Sequence, residues 1–364
     1  MFRTRSRGPS PQAVPEPEAL PGRFAPLVLP ALWGALALCW KLVCPLAQQD
    51  GLGVRAATGA VFFTVGTGLF LGLRRSLVRQ LRQARQIADA AQRVLLPPPP
   101  ARLDGLAIAA GQLSAARGAV VGGDLYEAVA TPHGVRIVVG DVRGHGLAAL
   151  GTVAAVLGGF REAAHDEREL AGVLRRLERT LARHARGRAR QEHPAAGRGE
   201  PENPSSEEFV TVLLLQVAVD GDLTALNCGH PWPYRLRRRP VPLCAADPLP
   251  PLGAFPLPDR LPVYRCGPLA AGEALLCHTD GAADARDAAG RFFDLEAALA
   301  EAAARTPVVP AAVVRRLHGA LLRHTGGRLA DDVALLVLRN DRSRVPAQSA
   351  EPEPRRTRTA PSRR

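Results

Sequence analysis

Two long apolar segments near the start of the sequence predict membrane-spanning helices. The first covers residues 24–47 with Lys41 as its only charge, and the second covers about residues 54–73, uncharged from Ala56 onward. Each approaches the roughly 20 residues that cross a hydrocarbon core of about 30 Å. The short connection between them favours a two-helix transmembrane hairpin; two buried helices of a soluble core are the alternative.

Arginines flank this hairpin on both outer sides. Arg3, Arg5, Arg7 and Arg23 precede it, and a further run begins at Arg74. Because positive residues stay on the cytoplasmic side, we expect a multi-pass protein of the cytoplasmic membrane whose main domain faces the cytoplasm. The basic segments 1–23 and 341–364 are predicted to be disordered, the second because it has almost no apolar residues.

The segment after the second span repeats apolar residues at intervals of four and three. They form an a/d seam of about three heptads on a helix otherwise rich in Arg and Gln: Leu77, Leu81, Ala84, Ala88, Ala91 and Leu95. The seam predicts a homodimer through residues 77–95. Because its alanine core is weak, an amphipathic helix lying on anionic membrane lipid is an equal alternative. Residues 74–100 thus form a juxtamembrane helix that ends in a proline linker, Pro97–Pro100.

Residues 101–340 alternate β-rich and helical runs, which predicts an α+β domain. The strand candidates are 134–140, 209–219, 223–226, 274–278 and 333–338, and the helix candidates are 147–160, 167–186, 295–304 and 311–323. Asp220-Gly221-Asp222 between two strand runs predicts a tight hairpin, and therefore antiparallel pairing. The polar segment 187–208 is predicted to be a loop.

Charge and cysteine usage exclude two classes of protein. The net charge is +13, but residues 95–340 hold 28 arginines against 27 acidic residues, so the excess lies in the flanks. A nucleic-acid-binding protein would carry its basic surface on the folded domain, so no nucleic-acid partner is expected. None of the six cysteines forms a CxxC pair, so no zinc or redox motif is spelled out.

Acidic residues occupy four positions where strands end or glycines allow tight turns. They are Asp124 after Gly122-Gly123, Asp141 after an apolar strand, Asp280 before Gly281, and the pair Asp331-Asp332 before the last strand. One Asp beside Gly is usually a turn residue, but four such positions together indicate a shared site. Converging carboxylates need cations to offset their repulsion, and hard oxygen ligands favour Mg²⁺ or Mn²⁺.

Five blocks resemble the bacterial SpoIIE-like branch of the metal-dependent serine/threonine protein phosphatases of type 2C. In the family's order, they are GGDLYEA (122–128), GDVRGHGLAA (140–149), FVTVLLLQVAVDGDLTALNCGHPWPYRL (209–236), LLCHTDGAADARDAAGRFF (275–293) and DDVALLVLR (331–339). The resemblance covers roughly Asp104 to Arg339. It implies an αββα sandwich of two antiparallel sheets flanked by helices, with two divalent cations, Mn²⁺ or Mg²⁺, at one end.

The resemblance also implies a role for each acidic residue. Asp141 would bridge both cations, with the backbone carbonyl of Val142 as a further ligand. Asp124, Asp280 and Asp331 would complete the ligand shells, and Gly123, Gly281 and Asp332 would lie just behind them. Water held between the cations would attack phosphorus, and His145 either protonates the leaving oxygen or only braces its loop. Glu127 is one methylene longer than the acid usual in the family, a departure that removes no ligand.

The expected substrate in this branch is a phosphoserine or phosphothreonine protein, often an anti-anti-sigma factor. Two alternatives remain open. One is a catalytically silent membrane scaffold that binds a phosphoprotein, and the other is a phosphoesterase that acts outside protein signalling.

Overall fold

The structure, a computed structural model, describes residues 33, 52–114, 122–144, 146–192, 209–237 and 239–342. By internal contacts the chain divides into two units, residues 1–84 and 85–364. Helix α1 (Leu52–Leu95) runs without a break for 44 residues. The second predicted span and the juxtamembrane helix are therefore one continuous helix, since no proline interrupts the sequence between them.

The first predicted span lies outside the described residues except at Trp33. That residue is helical, and its ring centroid lies 5.4 Å from that of Phe62 in α1. Within the described residues, Gly59–Gln80 is the one segment long and apolar enough to cross a membrane, and none of it is buried. The two-helix hairpin stays a prediction, as do the disordered ends at 1–23 and 341–364, of which only residues 341 and 342 are described.

Two β-sheets form the centre of the second unit. The first contains, in spatial order, β1 (Arg102–Leu103), β2 (Leu106–Leu113), β11 (Val333–Asn340), β10 (Ala274–His278), β7 (Tyr234–Leu236) and β8 (Val241–Pro242). The second contains β3 (Asp124–Thr131), β4 (Gly134–Val142), β5 (Val210–Val217), β6 (Asp222–Cys228) and β9 (Tyr264–Pro268). Each pairing between these strands is antiparallel. The predicted α+β class is confirmed.

Helices cover the outer face of each sheet. Their bounds are α2 (Leu147–Asp166), α3 (Leu170–Glu192), α4 (Asp280–Ala283), α5 (Leu295–Ala302) and α6 (Pro310–His324). One buried cluster joins α2 and α3 to the second sheet, another fills the space between the sheets, and a third joins α5 and α6 to the first sheet. This is the αββα order that the resemblance implied. The start of the predicted loop 187–208 is helical, and residues 193–208 lie outside the described part.

Strand β4 is buried on both faces, which explains its nearly continuous apolar sequence. Val135, Ile137 and Val139 pack between the sheets, whereas Val138 points to α2 and α3. Alternation of side chains along a strand requires this division. The strand thereby gives a rigid mount to the residues at its far end.

Arg136 is a completely buried arginine in the same strand. Its guanidinium donates to Oε1 of Gln216 (2.9 Å) and to the carbonyl oxygens of Ala164 (2.9 Å), Glu167 (2.5 Å) and Arg168 (2.7 Å). Burial lowers the pKa of Arg136, and the nearby Glu167 carboxylate acts in the opposite direction. The side chain ties the second sheet to the turn between α2 and α3.

Candidate metal centre

Asp124 and Asp141 lie directly opposite each other on neighbouring strands. Asp124 is the first residue of β3, Asp141 is the last but one of β4, and the two form a register pair. Directly opposed residues of an antiparallel pair have Cβ atoms about 5 Å apart. Asp124 is only 3% exposed. Hence the second sheet supplies two carboxylates at one end, one of them almost without access to water.

The other sheet supplies the remaining acids. Asp280 opens α4 two residues after β10, and Asp331 and Asp332 immediately precede β11. Because β10 and β11 are antiparallel and His278 pairs with Leu335, the end of one strand meets the start of the other. These three residues therefore occupy the same end of the first sheet.

Three glycines let the two groups of acids approach closely. A Cβ atom on Gly122 would fall on the carboxylate of Asp332, and one on Gly281 would fall on the backbone carbonyl of Asp332. A Cβ on Gly123 would collide with the carbonyl oxygen of Val142 and lie 2.7 Å from Oδ1 of Asp141. At each of these positions, a neighbouring oxygen atom occupies the space that a side chain would fill.

The carboxylates lie close enough together to raise one another's pKa values. Burial raises the pKa of Asp141 to about 7, with Asp280, Asp331 and Asp332 adding to the effect. The pKa of Asp124 is raised well above its usual range, first by burial and then by Asp141 and Asp332. Burial and the charge of Asp331 raise the pKa of Asp280. Among the described residues, no arginine or histidine forms an ion pair with Asp124, Asp141 or Asp280.

The donor set suits hard divalent cations. It would consist of carboxylate oxygens from elements of both sheets and one backbone carbonyl oxygen, that of Val142. In the described part of the chain, no three His, Cys, Asp or Glu side chains stand close enough together to enclose a single ion. A pair of hydrated cations does not require such a group, because Mg²⁺ keeps several waters and uses one or two carboxylates. The individual ligands therefore stay predictions.

Two other residues were considered from the sequence, and the structure describes one of them. His145 is outside the described residues. The carboxylate of Glu127 turns away from the acids and pairs with Arg161 of α2, with 2.7 Å between Nε and Oε1. The longer acid at this position thus links β3 to a helix.

Threonines beside the acids were missed by the sequence analysis. Oγ1 of Thr211 accepts a hydrogen bond from the backbone N–H of Asp141 (3.2 Å) and lies 3.0 Å from Nδ1 of His230. Thr279 bonds Asp124 through its hydroxyl at 3.1 Å. The position of Thr279 next to Asp280 was the only local signal, and the contact with Asp124 depends on how the sheets pack.

His230 lies in a turn that Asn227 stabilises. Its N–H donates to Oδ1 of Asn227 (2.9 Å), and Nδ2 of Asn227 donates to its carbonyl oxygen (2.8 Å). The ring is buried, and Nε2 has no hydrogen-bond partner among the described residues. Burial lowers the pKa of His230 to about 3, so the ring is neutral and supports Thr211.

The sandwich defines a fold class, that of the type 2C (PP2C) phosphatase domains. The SiaA-PP2C domain of Pseudomonas aeruginosa has the same fold, with a TM-score of 0.50 and 17% identity over 74% of this chain and 98% of that one. The chain belongs to the SpoIIE family, since residues 131–341, more than half of it, match the family model described as stage II sporulation protein E. Asp124 precedes the matched region.

Two further structures are similar to this chain. The RsbU and RsbW domains of a Mycobacterium tuberculosis protein are 25% identical, with a TM-score of 0.48, over 67% of this chain and 61% of that one. The phosphatase domain of Bacillus subtilis SpoIIE, with a fragment of its regulatory domain, is 15% identical with a TM-score of 0.46, over 64% of this chain and 63% of that one. This chain therefore spans about three fifths of the length of each.

Proposed function

We propose that this chain hydrolyses phosphoserine and phosphothreonine esters on a regulatory protein and needs two divalent cations to do so. The observation that carries the proposal is the convergence of acids from both sheets at one end of the sandwich, where they raise one another's pKa values. Family membership supports the same activity. A catalytically silent scaffold would have no use for this repulsion, which lowers stability.

The residues that would hold the cations follow from their places in the fold. Asp141 would contact both cations, because its carboxylate interacts with an acid of its own sheet and with the acids of the other sheet. Val142 would contribute its carbonyl oxygen. Asp124, Asp280 and Asp331 would complete the ligands, with Asp332, Gly123 and Gly281 behind them. When bound, Mn²⁺ or Mg²⁺ would supply a water of lowered pKa and offset charge on the phosphoryl oxygens.

We further propose that the substrate is a phosphorylated regulator of the anti-anti-sigma type. The support is the similarity to the SpoIIE family and to the RsbU domain. The exposed apolar helix Gly59–Gln80 supports anchorage in the cytoplasmic membrane, and the contact between Trp33 and Phe62 supports a second span beside it. Both termini and the phosphatase domain would then face the cytoplasm, with residues 77–95 pairing two chains or lying on lipid.

The test is a phosphatase assay on the full chain in detergent, with a phosphoserine peptide, p-nitrophenyl phosphate and a panel of small phosphate esters. We expect Mn²⁺-dependent release of phosphate that a chelator stops. Asp141→Asn should abolish it, whereas Asp247→Asn, at an exposed position, should not. Binding of a phosphoprotein without turnover would support a scaffold instead, and turnover of small esters alone would support the other phosphoesterase alternative.

A further inference from the structure

The hydroxyl of Thr279 joins the two sheets at the acidic end. Thr279 directly follows β10 and is completely buried. Its Oγ1 donates to Oδ2 of Asp124 (3.1 Å), the first residue of β3 in the opposite sheet. A buried threonine of one sheet thus bonds a buried carboxylate of the other.

The surrounding hydrogen bonds fix the direction of this hydroxyl. The backbone N–H of Thr279 donates to the carbonyl oxygen of Ala334 (3.1 Å), and the N–H of Ala334 donates back to Oγ1 (2.9 Å). The pair continues the ladder between β10 and β11, with the side-chain oxygen in the place of a backbone carbonyl. Because an N–H occupies one lone pair of Oγ1, the hydroxyl hydrogen is directed to Asp124.

A carboxylate held in this way has a fixed rotation. One oxygen of Asp124 is engaged by Thr279, so Oδ1 is the oxygen left to meet a cation. The terminal torsion of aspartate is broad and roughly two-fold, and burial alone does not fix it. Without the hydroxyl, Oδ2 would be a buried acceptor that has lost its donor, which is unfavourable.

We propose that Thr279 is a positioning residue whose hydroxyl holds the Asp124 carboxylate with Oδ1 directed to the cation site. This inference rests on the proposed function. Hydrogen-bond partners of metal-binding residues typically change metal affinity by 10–100-fold when they are removed. Thr279 should therefore act on cation affinity without touching the substrate.

Four variants of the full chain separate this role from simple packing. Thr279→Val keeps the shape and removes the hydroxyl, whereas Thr279→Ser keeps the hydroxyl. Thr279→Ala is the matched partner of the serine variant. Thr131→Val is the control, because Thr131 ends the same strand as Asp124, about 23 Å away, and its hydroxyl donates to the Gly134 carbonyl (2.8 Å).

The measurements are Mn²⁺ binding to the cation-free protein by titration calorimetry, the melting temperature without cation, and kcat and KM at increasing Mn²⁺. We expect Thr279→Val to weaken Mn²⁺ binding by about 10–100-fold while KM for the phosphopeptide at saturating Mn²⁺ is unchanged. Thr279→Ser and Thr131→Val should both bind Mn²⁺ as tightly as the unsubstituted chain, because each keeps the hydroxyl that bonds Asp124.

A folded Thr279→Val protein with unchanged Mn²⁺ affinity would overturn the inference. If that variant does not fold, Thr279→Ser is compared with Thr279→Ala, and equal Mn²⁺ affinities of these two variants would overturn the inference. Failure of the proposed function gives a different result, because the unsubstituted chain would then release no phosphate at any Mn²⁺ concentration, whatever the Mn²⁺ affinities of the Thr279 variants.

Discussion

Replacing Asp141 with Asn should make the cation-free protein more stable while it destroys the activity. In the fold the pKa of Asp141 is raised from 3.8 to about 7 by burial and three neighbouring acids. Each pKa unit corresponds to about 1.4 kcal/mol between the protonation states. The ionised carboxylate therefore destabilises the folded state by up to about 4 kcal/mol. The neutral amide of asparagine has the same shape and carries no such penalty.

The sign of the pH dependence follows from the raised pKa. Between about pH 4 and pH 7 the unfolded chain carries an ionised Asp141 while the folded chain keeps it protonated, so stability of the cation-free protein falls as pH rises through this window. Above pH 7 the full penalty applies. The advantage of Asp141→Asn should thus be about 4 kcal/mol at pH 8 and about 2 kcal/mol at pH 5.

Thermal unfolding in a chelator, followed by circular dichroism, measures this difference. A domain of this size gains roughly 2–4 °C per kcal/mol, so the variant should melt on the order of 10 °C higher at pH 8. Saturating Mn²⁺ should raise the melting temperature of the unsubstituted chain by mass action and that of the variant far less. A variant that melts no higher than the unsubstituted chain at pH 8 without cation would refute the crowding of these acids.

Three further changes test separate parts of the molecule. Arg136→Met should lower stability by about 3 kcal/mol or more, measured by thermal unfolding, because it leaves buried carbonyl oxygens without donors; an unchanged melting temperature would contradict this. Gly123→Ala should remove most of the phosphatase activity and destabilise by about 1–3 kcal/mol, since its Cβ would collide with Val142, whereas Gly187→Ala, which meets open space, should keep full activity. Leu77→Asp should reduce dimers of the full chain in sedimentation experiments and Gln83→Asp should not; equal sedimentation of both would favour the lipid-bound helix.

The sequence predicted those strands that are buried and therefore form continuous apolar runs. Strands β4, β5, β10 and β11 are nearly continuous apolar runs, and each was anticipated within about two residues of its bounds. Strand β2 has a weak local signal because Leu106–Leu113 contains three alanines and a glycine, and its strand state comes from pairing with β11. At strand β3 the sequence pattern predicts only a glycine-rich turn at Asp124, whereas the strand continues to Thr131.

The acids of the site were predictable and their supports were not. Each Asp lies beside a glycine or at the end of a strand, and a few neighbouring residues of the sequence are enough to show this. Thr279 and Asp124 are 155 positions apart, and Thr211 and Asp141 are 70 apart. Their bonds exist only once strand register and sheet packing are set, so no local pattern could reveal them.

The division of the acids between two sheets links the site to the packing of the whole sandwich. Asp124 and Asp141 move with the second sheet, and Asp280 and Asp331 move with the first. Repulsion between like charges favours separation of the sheets at this end, while the buried layer between them and the Thr279 hydrogen bond oppose it. A pair of bound cations would reverse the sign of the electrostatic contribution. Cation binding and sheet-to-sheet packing are therefore thermodynamically coupled, and any signal that alters this packing can alter cation affinity in the same measure.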